Sequence, residues 1–292
     1  MMPPVKLRCR EISESDIDAI GTLLTRGFVR RTREYWMRGL GYQSTRSLPS
    51  GVPRYGYLLE NEGTPVGCLL LIYLRKLHDG ESSIFCNVSS WYVDPLFRNH
   101  AALLASMAQR RKDVTYFNVT PNVSTWPIIE AQGFVPYCRG LYFSVPALSR
   151  TGRGMKVEIV TLDTQFINGL PDTDLAMLKR HAEYGCLSLV CHTPEGPLPF
   201  IFLQLPKRRG FIPMPAMQLG YCRSVSDYVC HAGTLGRFLL RQGKPVVILD
   251  ANGPVAGLVG AYTERRGRKY FKGPQRPRLG DLTDTELVIY GL

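Results

Sequence analysis

Residues 91–134, WYVDPLFRNHAALLASMAQRRKDVTYFNVTPNVSTWPIIEAQGF, restrict the possible folds more than any other stretch. The run 84–93 is rich in β-branched, aromatic and small residues and reads as a strand. Asp94-Pro95 stops it, because proline lacks an amide donor and constrains its predecessor. Asn99 stands where a helix N-cap belongs, and Leu103, Leu104, Met107 and Ala108 recur at helical spacing. Arg110, Arg111 and Lys112 fall where that helix should end, the sign favoured at its negative pole. A second strand follows over 114–120, then a short helical segment closing at Gly133-Phe134. A strand, a tight turn and a helix with free leading amides make a place for an anion.

The order of these residues resembles the GNAT superfamily of acyl-CoA acyltransferases. Its members carry Val-Asp-Pro-x-aromatic-Arg at a strand end, then a (Gln/Arg)-x-x-Gly-x-(Gly/Ala) loop. This chain reads Val93-Asp94-Pro95-Leu96-Phe97-Arg98-Asn99-His100-Ala101-Ala102-Leu103, and Asn122, Gly133 and Phe134 match the later family pattern. Ala101 stands where the family has Gly, Leu103 where it has Gly or Ala, and Ile129 where it often has a catalytic Tyr. The resemblance implies a mixed α/β sheet and acetyl-CoA or another acyl-CoA as co-substrate. It further implies that the pyrophosphate lies on the amides of Asn99, His100, Ala101, Ala102 and Leu103, with Arg98 adding charge or shaping the turn. A free amide near Val93 would polarise the thioester carbonyl, and Asn122 would hold the edge of the second strand.

The rest of the chain can be read around this unit. A strand is expected over 5–12, with Ser13 and Asp16 in capping-box position before a helix whose inward face is Ile17, Ile20, Leu24 and Phe28. A second helix is expected over 33–40, a hairpin over 55–60 and 66–75 around Asn61-Glu62-Gly63, and a strand over 135–145. The Pro/Ser/Gly-rich stretch 146–154 reads as a junction, giving an acyl-CoA-binding domain over 1–148 and a second lobe over 155–292. Beyond it the plan repeats in degenerate form: a strand over 156–162, a helix capped by Asp172, and a hairpin over 186–192 and 198–205. Then come a strand over 217–223, a helix over 233–242, a strand over 246–250, and closing strands over 269–272 and 286–290. The expected fold is thus a tandem GNAT-like one, with its second lobe acceptor-side or structural. No phosphate loop is legible between Arg223 and Gly233.

A formal net charge of +12 favours anionic partners. Arg265, Arg266, Arg268, Lys269, Lys272, Arg276 and Arg278 form the densest basic cluster, and Lys207-Arg208-Arg209 a second. No helix-turn-helix, zinc-finger or RNP-like string accompanies them, which argues against nucleic-acid binding. The eight cysteines follow no small disulfide framework, and the start of the sequence lacks an apolar signal core, so the expected setting is cytoplasmic. No segment approaches the length of a membrane span. The Cys and His spacings match no zinc pattern, so no metal is expected. There is no Gly-x-Ser-x-Gly elbow, and Gly253, Gly257 and Gly260 have the wrong spacing for a dinucleotide fingerprint. The reading is acyl transfer from acyl-CoA to an amine or hydroxyl of a small or larger acceptor. The alternatives are a non-catalytic acyl-CoA-binding or scaffold protein and a basic nucleic-acid-binding protein.

Overall fold

The computed structural model describes residues 7–78, 81–152, 154–205 and 215–291; the Lys207-Arg208-Arg209 cluster lies outside them. The chain opens with β1 (Leu7–Glu11), α1 (Ile17–Gly27), α2 (Arg33–Thr45), β2 (Gly56–Asn61), β3 (Thr64–His78) and β4 (Glu81–Val93). It continues with α3 (Ala101–Ala108), β5 (Val114–Asn118), α4 (Trp126–Ala131), β6 (Val135–Cys138), β7 (Gly140–Ser144) and β8 (Lys156–Val160). Next come α5 (Asp172–Glu183), β9 (Leu187–Thr193), β10 (Gly196–Gln204), β11 (Ala216–Tyr221), α6 (Val225–Arg241) and β12 (Val246–Ala251). The last elements are β13 (Gly260–Thr263), β14 (Lys269–Lys272) and α7 (Glu286–Ile289).

Two compact units result. The first holds the described residues up to 120 together with 271–276 and 284–291; the second holds 121–270 and 277–283. The stretch 146–154 therefore lies inside the second unit.

In the first unit the strand order is β1-β2-β3-β4-β5, with β14 beyond β5. The β2–β3 hairpin turns at Glu62 and Gly63, both with positive φ (50° and 82°), the two-residue geometry that suits a twisted hairpin. Ile20, Leu23 and Leu24 of α1 and Trp36 and Leu40 of α2 pack on Leu58, Cys68, Leu70 and Ile72 of the sheet, with Ile289 and Tyr290. The opposite sheet face belongs to α3. The Arg110 guanidinium just past that helix sits 6.0 Å above the Tyr57 ring, and Tyr57 points away from its neighbour Leu58.

In the second unit the order is β13-β7-β12-β11-β10-β9-β8. One core cluster joins Leu235 and Leu239 of α6 to Phe200, Phe202, Leu219 and Val247; another joins Leu175 and Leu178 of α5 to Val160, Val190 and Ile201. Both units share a signature: an antiparallel strand carrying a bulge, then a parallel neighbour. In the first it is β4, parallel to β5; in the second it is β11, parallel to β12.

Several expectations are corrected. Residues 286–290 form helix and its cap, not a strand, because Thr285 O accepts from Val288 N and Ile289 N at 3.0 Å. The run 135–145 divides at Arg139 into β6 and β7, which join different sheets. The helix expected over 233–242 begins at Val225, because the Ser224 hydroxyl accepts the Asp227 amide at 3.0 Å and caps it there. Asp172 is the first helical residue of α5, and its cap position is Pro171. Of the strand expected over 5–12, residues 5 and 6 lie outside the described residues.

Candidate functional site

β4 and β5 run side by side from Ile84↔Val114 to Asn87↔Phe117, and there the pairing stops. Immediately afterwards β4 slips register against β3: Leu71 faces Val88 but Leu69 faces Trp91, leaving Ser89 and Ser90 opposite Leu70. A bulge of this kind bends its strand and increases the local twist. β5 itself ends at Asn118, so the last residues of β4, bent at the bulge, run on with no strand paired on that side.

Beyond the bulge, the Asp94 amide donates to Val66 O at 2.8 Å. Amide directions alternate along an antiparallel strand, so Val93 N–H points away from β3, toward the side where β5 was paired. The strand end is fixed by Asp94 itself. Its carboxylate accepts from Arg26 Nη2 at 2.6 Å, Arg26 Nε at 3.2 Å and Tyr92 Oη at 2.9 Å.

The turn that follows differs from the expected one. Residues Pro95–His100 form a tight 3₁₀ turn, in which Phe97 N donates to Asp94 O at 2.9 Å and Ala101 N donates to Arg98 O. Asn99 therefore lies inside this turn and does not cap α3; the residue before α3 is His100, whose side chain makes no cap. The amides of Phe97 and Ala101 are committed to the turn. Arg98, Asn99, His100 and Ala102 are exposed, and Ala101 is half-buried. Leu104 is fully buried while Leu103 is 40% exposed, so α3 turns Leu103 outward and seats itself with Leu104, Ala105 and Ala108. Asn122, in the second unit, caps the short turn Val123–Thr125, its Oδ1 accepting Ser124 N at 3.2 Å. Ile129 is buried on α4 at 8% exposure.

Sequence reading missed one group beside the bulge. Glu286, the first residue of α7, accepts from Ser89 Oγ on the bulge at 2.6 Å and from Thr120 Oγ1 just past β5 at 2.5 Å. Its amide donates to Asn87 Oδ1, at the last paired residue of β4, at 2.7 Å. Surrounding protein pushes this carboxyl above the ordinary glutamate range, opposed by its hydrogen bonds to Ser89, Thr120 and Asn87. A lone Glu ahead of Leu-Val-Ile-Tyr is what a strand edge looks like, and no local pattern marks it out.

The second unit carries a cavity of about 520 Å³ lined by residues that include Thr193, Glu195, Arg223, Asp227 and His231. Arg223 is paired with Asp174 at 2.7 Å, and His231 Nδ1 lies 2.7 Å from its own helix's Asp227 O. The basic cluster is largely engaged: Arg266 stacks over Phe143, Arg268 over Trp126 and Arg278 over Tyr221. Burial pushes the Cys68 thiol up to about 12 and leaves it inert near neutrality. Among the described residues no three His, Cys, Asp or Glu side chains are grouped to hold a metal. No helix among them is long and apolar enough to cross a membrane.

No family model and no curated protein matches the sequence. Solved structures do. A GCN5-related N-acetyltransferase from Anabaena variabilis superposes with a TM-score of 0.58 at 13% identity, over 91% of this chain and 72% of that one. A conserved protein of Enterococcus faecalis, described as a probable N-acyltransferase, gives 0.57 at 10% identity, over 96% and 74%. A GCN5-related N-acetyltransferase from Kribbella flavida gives 0.56 at 13%, over 91% and 71%.

Proposed function

We propose that this chain, whose fold is that of the GCN5-related N-acetyltransferase superfamily in tandem form, transfers an acyl group from acyl-CoA to an amine or hydroxyl. The observation that supports the reading is the bulge at Ser89–Ser90 of β4, past which β4 has no partner strand on the β5 side and the Val93 amide points away from β3. Acyl-CoA would bring the activated thioester. Arg98, exposed on the 3₁₀ turn, presents positive charge to its pyrophosphate, and the exposed His100 ring presents a hydrogen-bond donor. Asn99 and His100 lie within the 3₁₀ turn, and Ala101 N donates to Arg98 O, so the leading amides of α3, those of Ala102 and Leu103, are the ones that would cradle the pyrophosphate. Leu103, 40% exposed, stands beside that turn where the family resemblance has a smaller residue. The gap between the strand ends admits the pantetheine arm. Val93 N–H, fixed by the ladder behind it, then stabilises charge developing on the carbonyl oxygen. Asn122 keeps the turn after β5 in one conformation.

A second reading has its own observation. Ile129 is apolar and buried, so no acid acts from that position, and a chain that binds acyl-CoA without turning it over is compatible with that. Titration calorimetry against CoA and acetyl-CoA tests the binding step, with Ala101→Glu as the variant. A carboxylate planted in the turn should weaken binding by more than tenfold, over 1.4 kcal/mol, with circular dichroism unchanged. Undiminished binding by the folded variant would show that the turn does not hold the pyrophosphate. Release of CoA thiol from acetyl-CoA then separates the enzyme from the binding protein.

A further inference from the structure

Acyl transfer needs more than a place for the donor. The acceptor heteroatom must lose a proton as it attacks the carbonyl, and the base that takes it must lie on the side from which the acceptor comes. The geometry of the first unit separates the two sides. The donor turn leads into α3, which lies on the sheet face marked by Tyr57. Asn87 faces Ile72 across the β4–β3 ladder, and Ile72 packs with α1 and α2, so Asn87 points to the other face. The carboxylate held at that face comes from the far end of the chain.

We propose that Glu286 is the general base of this acyl transfer, delivered to the opened sheet by the C-terminal segment. The inference rests on the acyl-transfer reading above. Three observations set the position. Glu286 bridges Ser89 on the bulge and Thr120 past β5, so it spans the mouth of the gap. Its backbone is fastened to Asn87 at 2.7 Å, where the two strands part. The residue is half-buried, so one side is reached by solvent or an acceptor. Two hydroxyl donors leave carboxylate lone pairs free, since such a group can accept about four hydrogen bonds. Its hydrogen-bond partners are neutral. The ionisable groups around it are Tyr290 on its own segment, Tyr35 and Arg38 from α2, and the Arg46–Asp284 ion pair two residues before it. A carboxyl raised by its surroundings is a better base near neutrality than a solvated one.

In the step, the acceptor lone pair forms the new bond to the thioester carbon and the C–O π pair moves onto oxygen at the Val93 amide. The proton on the acceptor passes to Glu286. When the carbonyl re-forms, the C–S bond breaks and its electron pair leaves with sulfur as the CoA thiolate. Glu286 returns its proton to water or to that thiolate, and the balance closes with no further reactant.

The test uses the full chain, acetyl-CoA as donor, and tyramine or water as probe acceptor, followed by CoA release across pH. Glu286→Gln keeps the size and hydrogen-bonding reach of the side chain. Its kcat should fall by roughly a hundred- to ten-thousand-fold, with KM for acetyl-CoA unchanged. In the parent, kcat/KM expressed per unprotonated amine, or for water as acceptor, should rise with pH through the ionisation of Glu286 and then level, because only the carboxylate accepts a proton. The variant should lose that acid limb. Ser89→Ala removes one donor to the carboxylate and should move the limb to higher pH, which a merely structural glutamate would not do. It also keeps the idea testable if Glu286→Gln fails to fold. A variant with parental kcat and an intact limb overturns the assignment and leaves acyl transfer standing. A parent that binds no acetyl-CoA, or binds it and transfers to neither acceptor, overturns the assignment together with that reading.

Discussion

Lys269 carries its charge out of reach of water: its side chain is 2% exposed, and its ammonium donates to Asp250 Oδ1 at 2.8 Å. From sequence it was one cation among seven in a basic cluster, since a charged side chain gives no local sign of the carboxylate nineteen residues upstream that claims it. Burial pushes Asp250 upward and the lysine opposes the shift, so the pair is held by mutual need. Lys269→Met should therefore destabilise the second unit by about 3–5 kcal/mol, because Asp250 is left buried without a counter-charge. The double variant Lys269→Met with Asp250→Leu should recover most of that loss in denaturant unfolding. Recovery of nothing would mean that packing, not charge, sets the cost. Glu286 illustrates the same limit of legibility. Val93, Asp94 and Arg98 could be picked out because a motif is local, whereas Glu286 becomes visible only when residues 87, 89 and 120 are brought to it.

Elements were more legible than the partners of their side chains, and the misses have physical causes. The β2–β3 hairpin was readable because its turn chemistry sits in adjacent residues. The run 135–145 looked continuous because β-rich composition does not reveal which sheet each half will join. The helix begins at Val225 and not at 233 because its first turns, Val225-Ser226-Asp227-Tyr228-Val229-Cys230-His231, hold residues of low intrinsic helix propensity that its Ser224 cap and buried face override. Its two glycines have a packing reason. A Cβ at Gly233 would stand 2.2 Å from Arg150 O, and one at Gly236 would stand 2.3 Å from Ala147 N. The stretch after β7 thus lies flat on α6 and is not a loose tether, which a Pro/Ser/Gly composition alone suggested. Gly236→Ala gains helix propensity of about 1 kcal/mol, yet overpacking against backbone typically costs 1–3 kcal/mol. The net expectation is destabilisation, read as a lower Tm, with new proteolytic cleavage around Ser149. A rise in Tm would show that the 146–150 stretch can move away at no cost.

At the scale of the whole chain, the first unit cannot be completed by the residues that begin it. Its helical layer includes residues 284–291, which follow more than 150 residues belonging to the second unit. Tyr290 is the centre of that arrangement. It is buried in the cluster formed by α1, α2, β2 and β3, and its hydroxyl donates to Gln43 Oε1 at 2.8 Å. Gln43 in turn donates to Leu71 O at 2.6 Å and Arg54 O at 2.8 Å, tying α2, β3 and the intervening loop to one tyrosine. Gly39 makes the room, since a Cβ there would lie 1.9 Å from the Tyr290 ring. A domain boundary drawn through 146–154 follows composition, but composition records where the backbone turns and not which core a distant segment fills. Tyr290→Ala should cost about 3–5 kcal/mol, the range for removing a large aromatic from a core. Hydrogen exchange locates the loss. Protection should fall along α1, α2 and the middle of β3, although the substitution is near the far end of the sequence. It should also loosen Glu286, so the acid limb of any acyl transfer should weaken along with the fold of the first unit. If exchange quickens only over 284–291 while α1 and α2 keep their protection, the segment is an addition to a finished domain. In that case the first unit folds before its last residues arrive, and Glu286 is supplied to a sheet that is already open.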